Sequence, residues 1–511
     1  MTLPSSRPLV VLPIEIRNRE LDGMLLLGAV LAERGHPVLM GNRQSLIRRH
    51  ASLPPAILLG KTVQQPDAEV YSRWREAGHR IAVLDEEGLI TYSTELYLRR
   101  RVHVPTMTQA DMLLAWGPEH ARIWEGVEMG LPRPPVRAVG NARFDLLRAE
   151  LRGAHADAAA AIRARLGPFI LFNSNFAAVN AFTPEQNRLP HPDELARAGQ
   201  TPPPYYDPGL ARYRHRLFAA YKEALPAIAR RFPNHRLVVR PHPAECPDAW
   251  RQSLTGLPNA HVVYEDAAQP WIMAATQVIH HSCTTAVEAY LMGRPALSYR
   301  PVENDAFDPL LTGVCSERVR DLDTLLARLD ACLSGDTPRA DPMARELVAH
   351  RLTGMKGILA ADRIADALAE LPPPRLDLNA RISRWRWHWH ELRKEGPETC
   401  RSVARLNAHF YPPEEAGAAL VDLQARLHVF SRLLGRFAGV DLGAAPLGPE
   451  APQTYWLRAH GIVAGQDDDL AAGTMEADGL AAPSHCIKGL TAQRALPLQL
   501  GRRRAAGSRP A

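Results

Sequence analysis

Short apolar runs alternate with segments of helical spacing twice along this chain, and that alternation restricts the fold more than any other feature. Leu9-Val-Val-Leu-Pro13 is a brief apolar run closed by a breaker. Leu21, Met24, Leu25, Ala29 and Leu31 then recur at near-helical spacing across 20–33, and Gly35-His36 stops that helix. Further strand-like runs follow at 37–40, 56–59, 80–84, 112–116 and 136–139. An Ala- and Arg-rich helical connection over 148–166 leads to a second unit, with strands predicted at 169–172, 236–240, 261–264, 277–280 and 296–299 and helices at 210–231 and 285–292. Short apolar strands separated by helices imply parallel sheets covered on both faces, so the expected class is α/β.

The 511 residues suffice for two or three domains. Residues 181–208 form a long, polar, proline-rich connection of the kind that is functional or mobile. After Pro372-Pro373-Pro374 the texture changes to RISRWRWHWHELRK over 381–394. Leu420, Leu423, Leu427, Phe430, Leu434 and Phe437 then mark a helix expected to dock on its own domain, or on a twin subunit. From 443 the chain is rich in Ala, Gly, Pro and Arg without periodicity and reads as a disordered tail. The domains expected are 1–160, 165–372, a helical extension over 375–440 and a tail over 443–511.

A net charge of +6 over this length is a mild basic bias, which fits an anionic substrate or membrane surface and does not demand nucleic acid. The six cysteines are scattered with no CxxC pair, as in reduced cytosolic proteins. The first twenty residues lack the apolar core of a signal peptide, and no run of about 18 apolar residues would cross a membrane. The expected location is cytoplasmic; Trp385, Trp387 and Trp389 with the arginines around them either rest on the anionic inner membrane surface or belong to a helix packed against the domains.

The chemistry concentrates at strand ends. In Arg240-Pro-His-Pro-Ala-Glu245, Arg240 can grip a phosphate with parallel hydrogen bonds, and His242 can donate to an oxygen as negative charge builds. The flanking prolines stiffen the turn. Alternatively the segment is a proline-rich surface turn. In His280-His-Ser-Cys-Thr-Thr-Ala-Val-Glu288, a strand runs into hydroxyl residues where a helix begins. Ser282, Thr284 and Thr285 add donors to the free N–H groups of its first turn. Glu288 closes a capping box with Thr285 or accepts from a ribose hydroxyl. Of His280 and His281, one is expected in the core and one at the ligand edge. Asp85-Glu-Glu-Gly88 places three carboxylates at a strand end, where mutual repulsion should raise at least one pKa and suit it to act as a base; alternatively it is a solvated acidic turn in which Gly88 merely turns the chain. Gly140-Asn141 reads as a turn, after which Arg143 and Asp145 either pair or line an inter-domain cleft.

Arg19-Glu20-Leu21, Asp85-Glu-Glu-Gly88, Gly140-Asn-Ala-Arg-Phe-Asp145, Asn173-Ser-Asn175, Arg240-Pro-His-Pro243 and the Ser282–Pro295 segment together resemble the bacterial surface carbohydrate biosynthesis proteins. The second half is similar to capsule Kdo transferases, polysialyltransferases and CDP-glycerol glycerophosphotransferases. The resemblance covers roughly residues 8–370 and departs from the commoner Ser-Ser pattern by reading Ser-Cys-Thr-Thr. It implies a GT-B-like enzyme of two Rossmann-like domains facing a cleft, needing no metal and no cofactor beyond the nucleotide sugar as co-substrate. The C-terminal domain would hold the nucleotide sugar through Asn173, Asn175, Arg240, His242, Glu245, His281, Ser282, Thr284, Thr285 and Glu288, with a CMP-linked Kdo or sialic-type donor preferred. The N-terminal domain would bind a glycan or lipid-linked glycan acceptor, with Asp85, Glu86, Glu87 or Glu20 as base and His242 stabilising the departing phosphate. A sugar-nucleotide epimerase on the same frame and a non-catalytic assembly factor are the other readings. The first would act without an acceptor, and the second would tolerate loss of Arg240 and His242.

Overall fold

The computed structural model describes residues 7–394, apart from 131, 183, 204–205 and 266, together with 416–445 and 453–460. In the first half, β1 (Leu9–Ile14), β2 (Val38–Asn42), β3 (Ala56–Gly60), β4 (Arg80–Leu84), β5 (Met112–Ala115) and β6 (Val136–Ala138) are parallel, in the order β2-β1-β3-β4-β5-β6. In the second, β7 (Phe169–Asn173), β8 (Arg236–Arg240), β9 (Ala260–Val262), β10 (Gln277–His280), β11 (Ala296–Tyr299) and β12 (Ser316–Val319) form another parallel sheet, in the order β9-β8-β7-β10-β11-β12. Every residue of β1, β3 and β7 is buried, because both faces of each sheet are covered. The class is therefore α/β, GT-B-like, with two Rossmann-like units.

The strand order reverses between β7 and β10 in the second sheet and between β1 and β3 in the first. At such a reversal the connections on either side leave in opposite directions and open a crevice beyond the carboxyl ends of the strands.

Leu25, Leu26 and Val30 of the helix Arg17–Glu33 pack on Leu12, Met40, Leu59 and Leu114 of the first sheet. Each such buried side chain contributes about 2 kcal/mol. The helix Ala360–Ala369 joins the same core through Ala361, Ile364, Ala365 and Leu368. The proline run at 372–374 suggests a division after that helix, yet it lies on the first half while the chain before it belongs to the second. Leu423, Leu427 and Phe430 of the helix Ala416–Leu434, with Phe437 beyond it, fill the remaining side of this core. The apolar seam thus docks on the chain's own domain.

The tail expected from 443 departs from its composition. Strand β13 (Val440–Ala444) pairs antiparallel with β14 (Thr454–Ala459), and β14 pairs antiparallel with β2. Without them β2 would be an open edge, whose free backbone groups accept another strand. Leu457 is fully buried against the helix Arg17–Glu33 and anchors the addition. Residues 446–452 and 461–511 of that expected tail lie outside the described residues.

The helix Leu378–Lys394 rests on the first half through Arg384 Nε to the Ala51 carbonyl (3.2 Å) and Arg386 to Glu76 (3.0 Å). Its Ile382 and Trp385 remain exposed. Among the described residues no helix is long and apolar enough to cross a membrane.

Candidate active site

Asn173, the last residue of β7, is in register with Arg240 on β8 to one side and His280 on β10 to the other. Neighbouring strands lie about 4.8 Å apart. The Arg-Pro-His-Pro turn and the hydroxyl-rich segment therefore leave the sheet from flanking positions, at the reversal of strand order. Both open into one cavity of about 370 Å³. His242, Ser282, Thr284, Thr285 and Glu288 line it from the second half, and Arg19, Glu86, Glu87, Tyr92 and Arg143 line it from the first.

The backbone N–H of Ala244 donates to His242 Nδ1 at 3.2 Å. A neutral ring bonded this way carries its proton on Nε2 and donates from there. Burial, with Arg19 adding repulsion, pushes the His242 pKa down to about 4, so the ring is neutral at physiological pH. Arg240 donates to the Glu265 carbonyl at 2.5 Å and lies over the Trp271 ring. Asn173 Nδ2 donates to Thr285 Oγ1 at 3.2 Å, while Asn173 Oδ1 is buried without a hydrogen bond. Asn175 also lines the cavity. Ser282 adopts the left-handed backbone with φ of 43°, a strained conformation for a residue bearing a Cβ. That turn lets β10 pass directly into the helix Thr285–Leu291.

The expected capping box does not form. Thr285 is already inside the helix, Thr284 occupies the capping position without a side-chain bond, and Glu288 lies too far along to reach back. Glu288 is instead a buried carboxyl at the cavity wall, and among the described residues no group donates a hydrogen bond to it. Burial raises its pKa, and Arg143, Arg19 and Arg240 act against that rise.

Glu245 and His281 do not line the cavity. Glu245 is fully buried and accepts from Ser174 Oγ, Trp250 Nε1, the Phe176 N–H and the His242 N–H. It braces the turn that carries His242 and has no oxygen to offer a ligand. His281 is fully buried, packs on Phe176 with ring centroids 3.9 Å apart, and contacts Arg214 through Nδ1. His280 is likewise buried and bonds Ser316, so both histidines are core residues and neither reaches the ligand edge.

The four candidate carboxylates separate cleanly. Glu20 is buried beneath the cavity, bonded to Lys61 Nζ (2.5 Å), Arg19 (3.1 Å) and the Glu15 N–H (2.9 Å). Burial would raise its pKa, but Lys61 and Arg19 hold it below the usual value. Asp85 is fully buried and accepts from Tyr97 (2.8 Å) and Arg101 (2.5 Å). Neither faces the cavity. Glu87 does, half exposed; enclosure opposes its ionisation, yet the Arg19 guanidinium brings it down to about 2. Glu86 alone combines a place on the cavity wall, a buried oxygen without a hydrogen bond (Oε2) and a raised pKa. Burial is the main cause of that rise, and repulsion from Glu20 adds to it.

Arg143 and Asp145 do not pair. Asp145 is buried and accepts from the N–H groups of Ala360 (2.9 Å) and Ala361 (2.9 Å), capping the helix that returns from the second half. Burial lifts its pKa to about 7. The turn before it needs Gly140: its φ is +89°, and a Cβ there would collide with the Thr353 carbonyl. Arg143 reaches the cavity, as do Arg19, Arg188, Tyr264 and Gln269, which sequence patterns did not single out as ligand contacts. Arg188 lies in the proline-rich 181–208 connection, and that was its only signal.

No family model and no curated protein matches this sequence. Among solved structures, the chain is similar to a UDP-GlcNAc 2-epimerase from Methanocaldococcus jannaschii, in complex with UDP-GlcNAc and UDP, at 12% identity and a TM-score of 0.45 over 71% of this chain and 99% of that one. It is similar to the wall teichoic acid polymerase TagF at 9% identity and 0.45, over 72% and 89%. It is also similar to S. aureus MnaA bound to UDP at 12% identity and 0.41, over 72% and 100%.

Proposed function

We propose that this protein transfers a sugar from a nucleotide sugar to a glycan, or lipid-linked glycan, in surface polysaccharide synthesis. One observation carries the reading: His242 and Thr284 face Glu86 across a single cavity between the two sheets. The acceptor hydroxyl oxygen forms a bond to the anomeric carbon as the carbon–oxygen bond to phosphate breaks. The Glu86 carboxylate takes the hydroxyl proton, and the phosphate leaves with the bonding electrons. His242 donates from Nε2 to that phosphate, Arg240 supplies positive charge, and Ser282, Thr284 and Thr285 add hydroxyl donors. The nucleotide sugar is a co-substrate, and the proposed step uses no metal or other cofactor. A CMP-linked acid of the Kdo or sialic type is the preferred donor, on the resemblance of the Arg240-Pro-His-Pro243 and Ser282–Pro295 motifs.

A sugar-nucleotide epimerase is the second reading. It is favoured by Glu86 and Glu288, two buried carboxyls with raised pKa values in one cavity. Thermal shift against CMP, CDP, UDP, GDP and TDP tests the site, since a ligand that binds only the folded state raises Tm. CMP should give the largest rise, lost in His242→Ala and Arg240→Ala. No rise with any nucleotide would refute the site. Labelled donors then separate the readings: an epimerised nucleotide sugar formed without acceptor selects the second.

A further inference from the structure

Arg143 is buried, 5% exposed, on the cavity wall. Its Nε is enclosed without a hydrogen bond, and among the described residues the guanidinium forms no ion pair. The other arginines deep in this cleft are engaged: Arg19 with Glu20 and Glu87, Arg240 with the Glu265 carbonyl. The Arg143 guanidinium lies over the rings of Trp116 (5.7 Å) and Phe144 (5.2 Å), which attract it without supplying a hydrogen-bond acceptor. Its backbone is fixed from two directions. Asn141 Oδ1 accepts from the Arg143 N–H at 2.9 Å. The helix Arg17–Glu33 passes so close at Gly23 that a Cβ there would lie 2.8 Å from Arg143 Cα. The carboxyls of Glu86, Glu87 and Glu288 are near enough to act on this guanidinium but none bonds to it, so its hydrogen-bonding fork is left for a ligand anion.

We infer that Arg143 binds a second anionic group of the substrates, distinct from the nucleotide phosphate. The inference rests on the proposed transferase reading. The phosphate donors belong to the second half, whereas Arg143 follows β6 in the first half, beside the base: Asn141 contacts Glu86 Oε1 through Nδ2 at 3.4 Å. The group is one that a planar fork can grip through two oxygens, a carboxylate or phosphate carried by the donor sugar or by the acceptor next to the reacting hydroxyl.

Calorimetric titration of the full chain, Arg143→Met and Arg143→Lys against four probes tests this. The probes are CMP, CMP-N-acetylneuraminic acid, a tetrasaccharide of alternating glucuronate and N-acetylglucosamine, and neutral chitotetraose. Arg143→Met should weaken one acidic probe by about ten-fold or more and leave CMP and chitotetraose within about two-fold. A deficit with the CMP-linked acid places the anion on the donor, and a deficit with the acidic tetrasaccharide places it on the acceptor. Arg143→Lys keeps the charge without the fork; it should lose affinity for the same probe by a smaller factor and serves if Arg143→Met does not fold. Equal loss of CMP, or unchanged binding of both acidic probes, overturns the inference. If wild type binds no CMP, the nucleotide reading fails, and the acidic-against-neutral tetrasaccharide comparison still decides the role of Arg143.

Discussion

Lys61 Nζ lies 2.5 Å from Glu20 Oε2, and both side chains are almost wholly buried. This ion pair separates Glu20, which stabilises the fold, from Glu86, which faces the cavity. Glu20→Gln would leave Lys61 with Glu15 as its remaining carboxylate partner and should cost about 1–3 kcal/mol, read as a lowered midpoint in urea. Glu86→Gln should leave that midpoint nearly unchanged and reduce kcat by about 10²–10⁴-fold. Equal catalytic loss in both at full folding would count against Glu86 as the base.

The pH dependence follows from His242 and Glu86. His242 titrates near 4, so it stays neutral and able to donate throughout the working range. A raised Glu86 pKa means the base is lost as pH falls through a value above the ordinary 4.5. The acid limb of kcat/KM should therefore lie above 4.5 and persist in His242→Ala, whose kcat falls about 10²–10³-fold at every pH. Disappearance of that limb in His242→Ala would reassign it to the histidine.

Asp145 should make stability depend on pH in an unusual direction. Its folded pKa is raised to about 7 from an ordinary 3.8. Below 3.8 both states hold the proton and there is no penalty; between the two values the unfolded chain loses its proton first, so folding stability declines as pH rises and levels off above about 7. Asp145→Asn should remove this decline between pH 4 and 7. It also loses one of the two helix-capping acceptors, at about 1–3 kcal/mol. Urea titrations of both proteins across that window provide the comparison.

Gly23→Ala should press on the backbone of Arg143, because the added Cβ would lie 2.8 Å from its Cα. The expected cost is about 1–3 kcal/mol in stability, with weaker binding of whichever ligand Arg143 holds. An unchanged Tm would show that the loop yields freely.

Membrane contact is testable on the helix Leu378–Lys394. Ile382 and Trp385 are 56% and 65% exposed. Replacing both with serine should reduce co-sedimentation with phosphatidylglycerol vesicles. No binding of the wild type to such vesicles would refute the membrane contact expected from the sequence.

The two parallel sheets were legible because strands such as Leu9–Ile14 and Phe169–Asn173 are buried on both faces and read as unbroken apolar runs. Arg240, His242, Ser282 and Thr284 were legible as strand-end chemistry, and the register of Asn173 between Arg240 and His280 explains their convergence. The choice among Asp85, Glu86 and Glu87 was not. It depends on Tyr97 and Arg101 engaging the first and Arg19 the third, partners supplied by other segments. Strand β14 was hidden for a similar reason: six residues gain their structure only from the open edge of β2, more than four hundred positions earlier.

The core of the first sheet draws on residues from Val10 to Leu457. During synthesis, the second sheet can close while the ribosome is still making the segments that complete the first. The half begun earliest thus finishes last, and until then Leu25, Leu26 and their neighbours are incompletely covered. A chain stopped after the proline run should bind chaperones and aggregate even though both parallel sheets are encoded in full.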